Sequence, residues 1–268
     1  MRNMYSDYVK SKDTVWASSS SPEDTLLLGT HLWTIHNDSL CSNKESYTAY
    51  LTLTVCNSTE FTCRDGSCVP MEKRCDGRTE CEDETDEDQC SLVAPSTTYK
   101  KLIDPPPLKF LEGKALVNFS VNLKEILAID EVGRRFEMHY DMTFEWFDPR
   151  LVFHNLKRKK ERNKLSLPEK VMIWNPQIEF VNTKFKDESI IDSKLRVEVI
   201  PNEDFNYQIS DETVVNNIYI FDGESNMLQS HRSYTTDFIC EFEMFWYPFD
   251  TQICELNFTL QENLDKRF

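Results

Sequence analysis

No run of about eighteen apolar residues occurs in this sequence, so nothing in it reads as a membrane-spanning helix. The opening Met1-Arg2-Asn3-Met4-Tyr5-Ser6-Asp7 lacks the apolar stretch that an export signal needs. Glycine is scarce, at 6 of 268 residues, and no phosphate-cradling glycine loop is present. The 5 histidines show no metal spacing, and neither Gly-x-Ser-x-Gly nor His-Glu-x-x-His occurs, so the expectation is that the chain is not an enzyme. Basic charge is short as well: 30 Lys and Arg against 46 Asp and Glu leave a net charge of −16. That balance repels nucleic-acid phosphates and anionic lipid heads, and it favours cations and basic protein surfaces as partners.

What the chain does have is enough apolar and aromatic content, 40% and 12%, to fill a core, which sets it apart from disordered proteins. It has 9 cysteines, six of them packed between Cys56 and Cys90, and that density reads as an oxidised scaffold in an extracellular or lumenal compartment. Asn-x-Ser/Thr sequons at Asn37, Asn57, Asn118 and Asn257 agree with a secretory route and are candidate glycosylation sites. A secreted character without signal or anchor reads as a fragment. Cys41 is left over if the others pair, and its partner is then expected upstream.

Along the chain, residues 1–55 hold His31-Leu32-Trp33-Thr34-Ile35 and the run Tyr47 to Val55, rich in β-branched and aromatic residues. They read as a partial β-rich module, loosely similar to lectin-like or laminin-G-like domains. Residues 56–90 form the cysteine module. Residues 91–113 read as a linker, because Ser96-Thr97-Thr98 and Pro105-Pro106-Pro107 favour an extended path. From 114 to 268 the texture is that of short strands. Val117, Phe119, Val121 and Leu123 alternate with mostly polar neighbours, and similar runs recur at Phe136 to Phe144, Leu195 to Ile200, Ile218 to Phe221 and Leu256 to Leu260. With helical periodicity scarce and turns such as Asp222-Gly223 between the runs, the expected fold class is all-β, an antiparallel β-sandwich with a small disulfide-rich module ahead of it.

The module resembles the low-density-lipoprotein receptor class A repeat over its whole length. The likeness is carried by Cys56, Cys63, Cys68, Cys75, Cys81 and Cys90, by Phe61 and Val69, and by the acidic string from Asp76 to Glu87. The resemblance implies the pairs Cys56 with Cys68, Cys63 with Cys81, and Cys75 with Cys90. It also implies a structural calcium ion held by the carboxylates of Asp76, Glu80, Asp86 and Glu87 and the backbone carbonyls of Lys73 and Arg78. Hard oxygen donors crowded by cross-links suit such a cation. Glu80 stands where the family usually has Asp.

The last segment resembles the extracellular domain of pentameric Cys-loop ligand-gated ion channels, which is an immunoglobulin-like β-sandwich. Cys240 and Cys254 enclose thirteen residues containing Tyr247-Pro248-Phe249-Asp250. Ahead of them, in order, come Ile129-Asp130-Glu131-Val132, Trp146-Phe147-Asp148-Pro149-Arg150-Leu151, and Ile173-Trp174-Asn175-Pro176 with Asn182. Gln177 departs from the family's Asp. By this resemblance the loop from Cys240 to Cys254, with Tyr247, Pro248, Phe249 and Asp250 at its tip, and the Asp130-Glu131 turn would press on a pore domain and couple ligand binding to gating. The positions matching the family's ligand box are Asp141, Val181 and Gln261, none aromatic, which disfavours an amine agonist. The expected function is the extracellular ligand-binding region of a channel subunit at the plasma membrane, assembled with four others around an unknown small molecule. The alternative is a secreted or endocytic binding protein built from the same domains. The basic stretch Lys157-Arg158-Lys159-Lys160-Glu161-Arg162-Asn163-Lys164 reads as a solvated loop, or as a surface for the acidic module.

Overall fold

The computed structural model describes residues 7–10, 16–19, 28–38, 44–57, 59–108, 116–183, 191–202 and 219–260. The chain divides into two compact units, the first ending at Cys90 and the second starting at Ser91.

The first unit opens with a four-stranded antiparallel meander of β1 (Asp7–Lys10), β2 (Trp16–Ser19), β3 (Gly29–Asp38) and β4 (Lys44–Leu53). Trp33, from the aromatic run of β3, is 1% exposed and anchors the sheet. The cysteine module follows. Its hairpin is β5 (Glu60–Thr62) with β6 (Cys68–Pro70), and a 3-10 turn covers Thr85–Glu87. Disulfides join Cys56 to Cys68, Cys63 to Cys81 and Cys75 to Cys90. The apolar core is small, made of Phe61, Val69 and Met71, with the buried Arg74 guanidinium 4.1 Å over the Phe61 ring. So little burial needs the cross-links.

Module and meander are fused rather than strung together. The Thr30 N–H donates to the Arg64 carbonyl at 2.8 Å, and the hydroxyls of Thr54 and Thr62 meet at 2.7 Å. Two glycines with positive φ make the join. A Cβ on Gly66 would lie 2.8 Å from the Gly29 nitrogen, and one on Gly29 would lie 2.3 Å from the Arg64 oxygen. Backbone against backbone leaves no room for a side chain.

The second unit holds β7 (Val117–Asp130), β8 (Arg135–Trp146), β9 (Val152–His154), a 3-10 turn at Lys160–Arg162, α1 (Leu167–Met172), β10 (Ile178–Phe180), β11 (Arg196–Ile200), β12 (Ile220–Asp222), β13 (Met227–Ile239) and β14 (Phe258–Leu260). The main sheet runs β11-β13-β8-β7, all antiparallel, and two-stranded pairs β10-β14 and β12-β9 complete the β architecture. In β8 the period-2 pattern is complete: Phe136, Met138, Tyr140, Met142, Phe144 and Trp146 are buried, while their neighbours are half-exposed. Tyr140 and Phe238 meet Phe180 of β10 at 6.3 and 6.0 Å, edge to face, so β10 covers this inner side of the sheet. An all-β sandwich with a disulfide module is therefore the observed class.

Residues 91–108, which read as a spacer in the sequence, contribute buried groups to the sandwich. Val93 is 1% exposed and bridges to Phe153, and Pro105 and Leu108 are buried. The attachment is polar at both ends. Near the start, the Glu169 carboxylate accepts from Ser91 Oγ at 2.9 Å and from the N–H groups of Leu92 and Val93 at 2.6 and 3.3 Å. Near the end, Arg150 donates to the carbonyls of Lys100 and Ile103. Two turns close within the segment, with the Tyr99 N–H donating to the Ser96 carbonyl and the Ile103 N–H to that of Lys100, and several of its remaining polar groups find partners on the domain it crosses.

Candidate functional site

Asp148 organises one end of the sandwich. It is 0% exposed, and Arg150 grips both its oxygens at 2.7 Å. Tyr99 donates its hydroxyl to Asp148 at 2.9 Å and accepts the Trp174 N–H at 2.8 Å, while Arg150 stacks over the Tyr99 ring at 4.7 Å. Burial raises the Tyr99 phenol above its ordinary range, with Asp148 adding to the shift and the Trp174 N–H opposing it. Trp146 and Trp174 pack edge to face at 5.8 Å. These residues fix the ends of strands and the strap formed by residues 91–108.

The opposite end carries the turn after β7 and the loop after β13. In the turn, Asp130 accepts from the Gly133 N–H at 2.8 Å and from Arg135 Nε at 3.0 Å. These two contacts, in that order, hold its carboxyl below the usual range. Glu131 is exposed, and Val132 is 96% exposed. The Cys240 N–H donates to the Arg134 carbonyl at 3.0 Å, so turn and loop base are bonded to one another.

Cys240 and Cys254 form a disulfide that closes the loop base. Asn182 then ties its two limbs together. Its side-chain amide donates to the carbonyls of Glu255 (2.8 Å) and Ile239 (3.3 Å), its Oδ1 accepts from Asn257 N at 2.9 Å, and its carbonyl accepts from Ile239 N at 2.8 Å. Gln252 braces the interior by bonding both the N–H and the carbonyl of Glu243 at 3.0 Å and by donating to Asp250. The charge of Asp250 is thus met by an amide rather than by a cation, in a half-buried position.

The tip projects beyond this braced base. Phe245, Trp246, Tyr247, Phe249 and Ile253 are all more than half exposed, with Phe249 at 92%, and the Tyr247-Pro248 peptide is cis. Together with Val132 they make an apolar surface at one end of the sandwich.

Of the three positions matching the ligand box, Asp141 and Val181 are among the described residues. Asp141 lies on the outward face of β8, opposite to its neighbours Tyr140 and Met142, which face the core. It accepts from Ser233 at 2.6 Å and pairs with Lys124 at 3.0 Å, and these contacts lower its carboxyl, the hydroxyl first. Val181 follows β10 and is 59% exposed, and Gln261 lies outside the described residues. A cavity of about 20 Å³ lined by Met142, Phe144, Pro176, Ser230, Arg232 and Tyr234 has room for a water rather than a ligand.

In the cysteine module backbone bonds link the predicted carboxylates in pairs, Glu87 with Asp76 and Asp86 with Glu80, but among the described residues no three of the four bring their oxygens within 4.8 Å of one another. Glu87 Oε1 accepts from the N–H groups of Asp76 and Gly77 at 2.8 and 3.1 Å, and Asp86 Oδ2 from Glu80 N at 2.6 Å. Asp76 Oδ1 accepts from Arg78 N, which turns the Arg78 peptide into the same loop. Asp86 is 0% exposed, yet its Oδ1 has no hydrogen-bond partner, and neither does the buried Glu80 Oε2. Lys73 Nζ reaches the other Glu80 oxygen at 3.5 Å. Buried carboxylate oxygens without donors fit a bound cation. Among the described residues the grouping whose ligand atoms do lie within that reach is Cys56, Glu60 and Cys68, but both its sulfurs are spent in one disulfide and offer no thiolate.

Among the sequons, Asn57, Asn118 and Asn257 are exposed, while the side chains of Asn37 and the whole of Cys41 lie outside the described residues. No helix among the described residues is long and apolar enough to cross a membrane. Sequence reasoning missed Glu169 and Tyr99. Ser166-Leu167-Pro168-Glu169 has the spacing of a helix start and was the one available signal for Glu169.

Residues 92–264 match the family model of the neurotransmitter-gated ion-channel ligand binding domain, and residues 54–90 match that of the low-density lipoprotein receptor domain class A. Similar curated proteins include the human atrial natriuretic peptide-converting enzyme, 46% identical over 35 residues, and the vitellogenin receptor Yl of Drosophila melanogaster, 41% identical over 51 residues. These matches cover 13% and 19% of this chain and 3% of either relative, so they concern a small piece of each. The channel-domain match extends over more than half of the sequence and takes in the double-tryptophan end, the Asn182 clamp and the disulfide loop alike: the chain belongs to the neurotransmitter-gated ion-channel ligand-binding domain family, with a class A repeat directly ahead of that domain.

Proposed function

We propose that this chain is the extracellular ligand-binding region of a ligand-gated ion channel subunit, and that the Cys240–Cys254 loop and the Asp130-Glu131 turn couple ligand binding to the gate. The observation that carries this reading is the contrast within the loop. Its base is held by a disulfide, Asn182 and Gln252, whereas its aromatic tip stands in solvent beside Val132. A rigid base transmits displacement, and an apolar tip wants a covering surface, here the membrane end of the pore. In the complete protein the domain lies outside the plasma membrane and assembles with other subunits, family practice being a pentamer. The agonist is a small molecule other than a simple amine, because Asp141, Val181 and Gln261 provide no aromatic cage.

The class A repeat holds calcium as a structural ion. Asp76, Glu80, Asp86 and Glu87 supply carboxylates and Lys73 and Arg78 carbonyls, and the ion offsets the mutual repulsion of the acids. Asn57, Asn118 and Asn257 are the exposed positions suited to glycans, with Asn37 a fourth sequon.

The coupling role is tested in the complete subunit by recording agonist-evoked current from the double variant W246A/F249A. Current should fall by about tenfold or more at unchanged surface expression, because Trp246 and Phe249 are mostly exposed and stand outside the core of the domain. Wild-type current from normally expressed variant receptors would remove the tip from the gating path.

A further inference from the structure

The loop between β9 and α1 carries six cationic side chains in eight residues, Lys157 to Lys164, on a chain that is otherwise strongly acidic. Its backbone is not loose. Asn163 is 0% exposed and clamps the loop from within, its Oδ1 accepting Lys157 N at 2.7 Å and its Nδ2 donating to the carbonyls of Lys157 (2.8 Å) and Val199 (3.1 Å). The Val199 N–H returns a bond to the Asn163 carbonyl at 3.0 Å, and Lys164 bridges to Glu198 of β11. A 3-10 turn at Lys160–Arg162 closes the loop, and Lys160 is drawn down to Gln229 at 3.2 Å.

Two of the six cations are thereby taken inward, Lys157 by burial and Lys160 by its hydrogen bond. Arg158, Lys159, Arg162 and Lys164 are left exposed, and no described carboxylate pairs with them. The acids nearby are Glu161, exposed in the same turn, and Glu198, already engaged by Arg196 at 2.5 Å. Lys159 precedes the 3-10 turn that Arg162 ends, and the Arg162 N–H donates to the Lys159 carbonyl at 3.0 Å, which ties these two cationic residues together at the backbone. A rigid display of unpaired cations loses little side-chain and backbone freedom on meeting an anionic partner. Structure in this loop thus serves the charges, whereas a merely solvated loop would need no internal clamp.

We propose that this loop is a binding site for a sulfated glycosaminoglycan chain. The four disulfides place the protein where such polyanions occur rather than nucleic acid. Repeated sulfates match several cations held at fixed spacing, and Arg158 and Arg162 supply the forked donors that bind oxyanions bidentately. The net charge of −16 does not forbid this, since charges beyond about 8 Å are screened at physiological salt.

The test is retention of the full chain, with calcium present, on immobilised heparin and on chemically desulfated heparin as salt is raised. Wild type should bind heparin at about 0.15 M salt, with affinity falling linearly in log–log form as salt is raised because binding releases counterions, and should not bind the desulfated form. R158A/K159A/R162A/K164A should lose about tenfold or more in affinity while keeping the wild-type circular dichroism and melting curve, and R64A/K100A, which removes exposed cations elsewhere, should not. Wild type washing through at 0.15 M salt, equal retention of both heparins, or an unaffected quadruple variant would each overturn the site. Polyglutamate binding as tightly as heparin would overturn the glycan in favour of an acidic polypeptide.

Discussion

Glu169 shows how much one side chain can hold together. Its Oε2 receives the N–H and hydroxyl of Ser166 at the start of α1, at 2.7 and 2.6 Å, and its Oε1 receives Ser91, Leu92 and Val93. Burial pushes its carboxyl up, but these donors outweigh it, and the result lies below the usual carboxylate range. A depressed carboxyl stabilises the fold above its unfolded pKa, and that contribution is lost as pH falls through the folded value. Thermal unfolding followed from pH 6 downward should therefore show stability declining below about pH 4.5, and E169Q should flatten that decline. The same variant should cost about 2–3 kcal/mol at neutral pH, because its amide NH2 meets donors where the carboxylate met only acceptor demand. Equal pH slopes for both proteins would show that the strap is held by other means. Sequence motifs point to Trp146, Asp148, Arg150 and Trp174, but not to Glu169 or Tyr99. Their partners lie some fifty to eighty positions away, and a single charged or phenolic residue carries no local signature of that.

Strands differ in how plainly their sequences announce them, and the cause is what each face meets. Strand β8 alternates large apolar residues with polar ones because one side packs on β10 and the other faces outward, so its extent is easy to read. Strand β13 is about as long and lies between β11 and β8, yet its inward positions include Ser230, Arg232 and Thr236. Thr236 meets the Tyr140 hydroxyl at 3.2 Å and Arg232 holds Asp192 with two bonds, so polar pairing replaces apolar burial and erases the pattern. The short α1 is likewise hidden, being set by its capping residues rather than by any apolar period. The strap of residues 91–108 has the composition of a linker because its stability comes from partners outside itself. The join in the first unit is a similar case. Nothing local to Gly66 reveals that its hydrogen faces the backbone of Gly29, but both the space and a φ of 93° exclude a side chain. G66A should destabilise the first unit by more than about 1 kcal/mol, read as a lowered denaturant midpoint, while an alanine at the open, sterically free Gly77 should cost less despite its own positive φ. Equal costs would place the penalty in φ alone and remove the packing argument.

At the scale of the whole molecule, stability is expected to come from different sources in the two units. The sandwich buries Tyr140, Trp146, Phe153, Phe180 and Phe238 almost completely, enough for a core that needs no metal. The first unit has a core of a few side chains, three disulfides and a set of buried acids with unpartnered oxygens. If calcium satisfies those acids, removing it leaves one buried oxygen of Asp86 and one of Glu80 without a partner, a cost concentrated in that unit. The meander should feel it too, because Thr30 and Thr54 are hydrogen-bonded to the module. Amide hydrogen exchange followed by mass spectrometry, with calcium and then with a chelator, should show faster exchange at residues 60–90 and in β3 and β4. Exchange in β8 and β13 should not change. D86N, which keeps the shape but removes the charge most deeply buried, should exchange in calcium as the wild type does in chelator, and E80D should remain protected at lower calcium than wild type. Protection unaffected by the chelator would mean that the acids are held by the disulfides alone, and a loss spread evenly over both units would mean that the metal stabilises something other than the class A repeat.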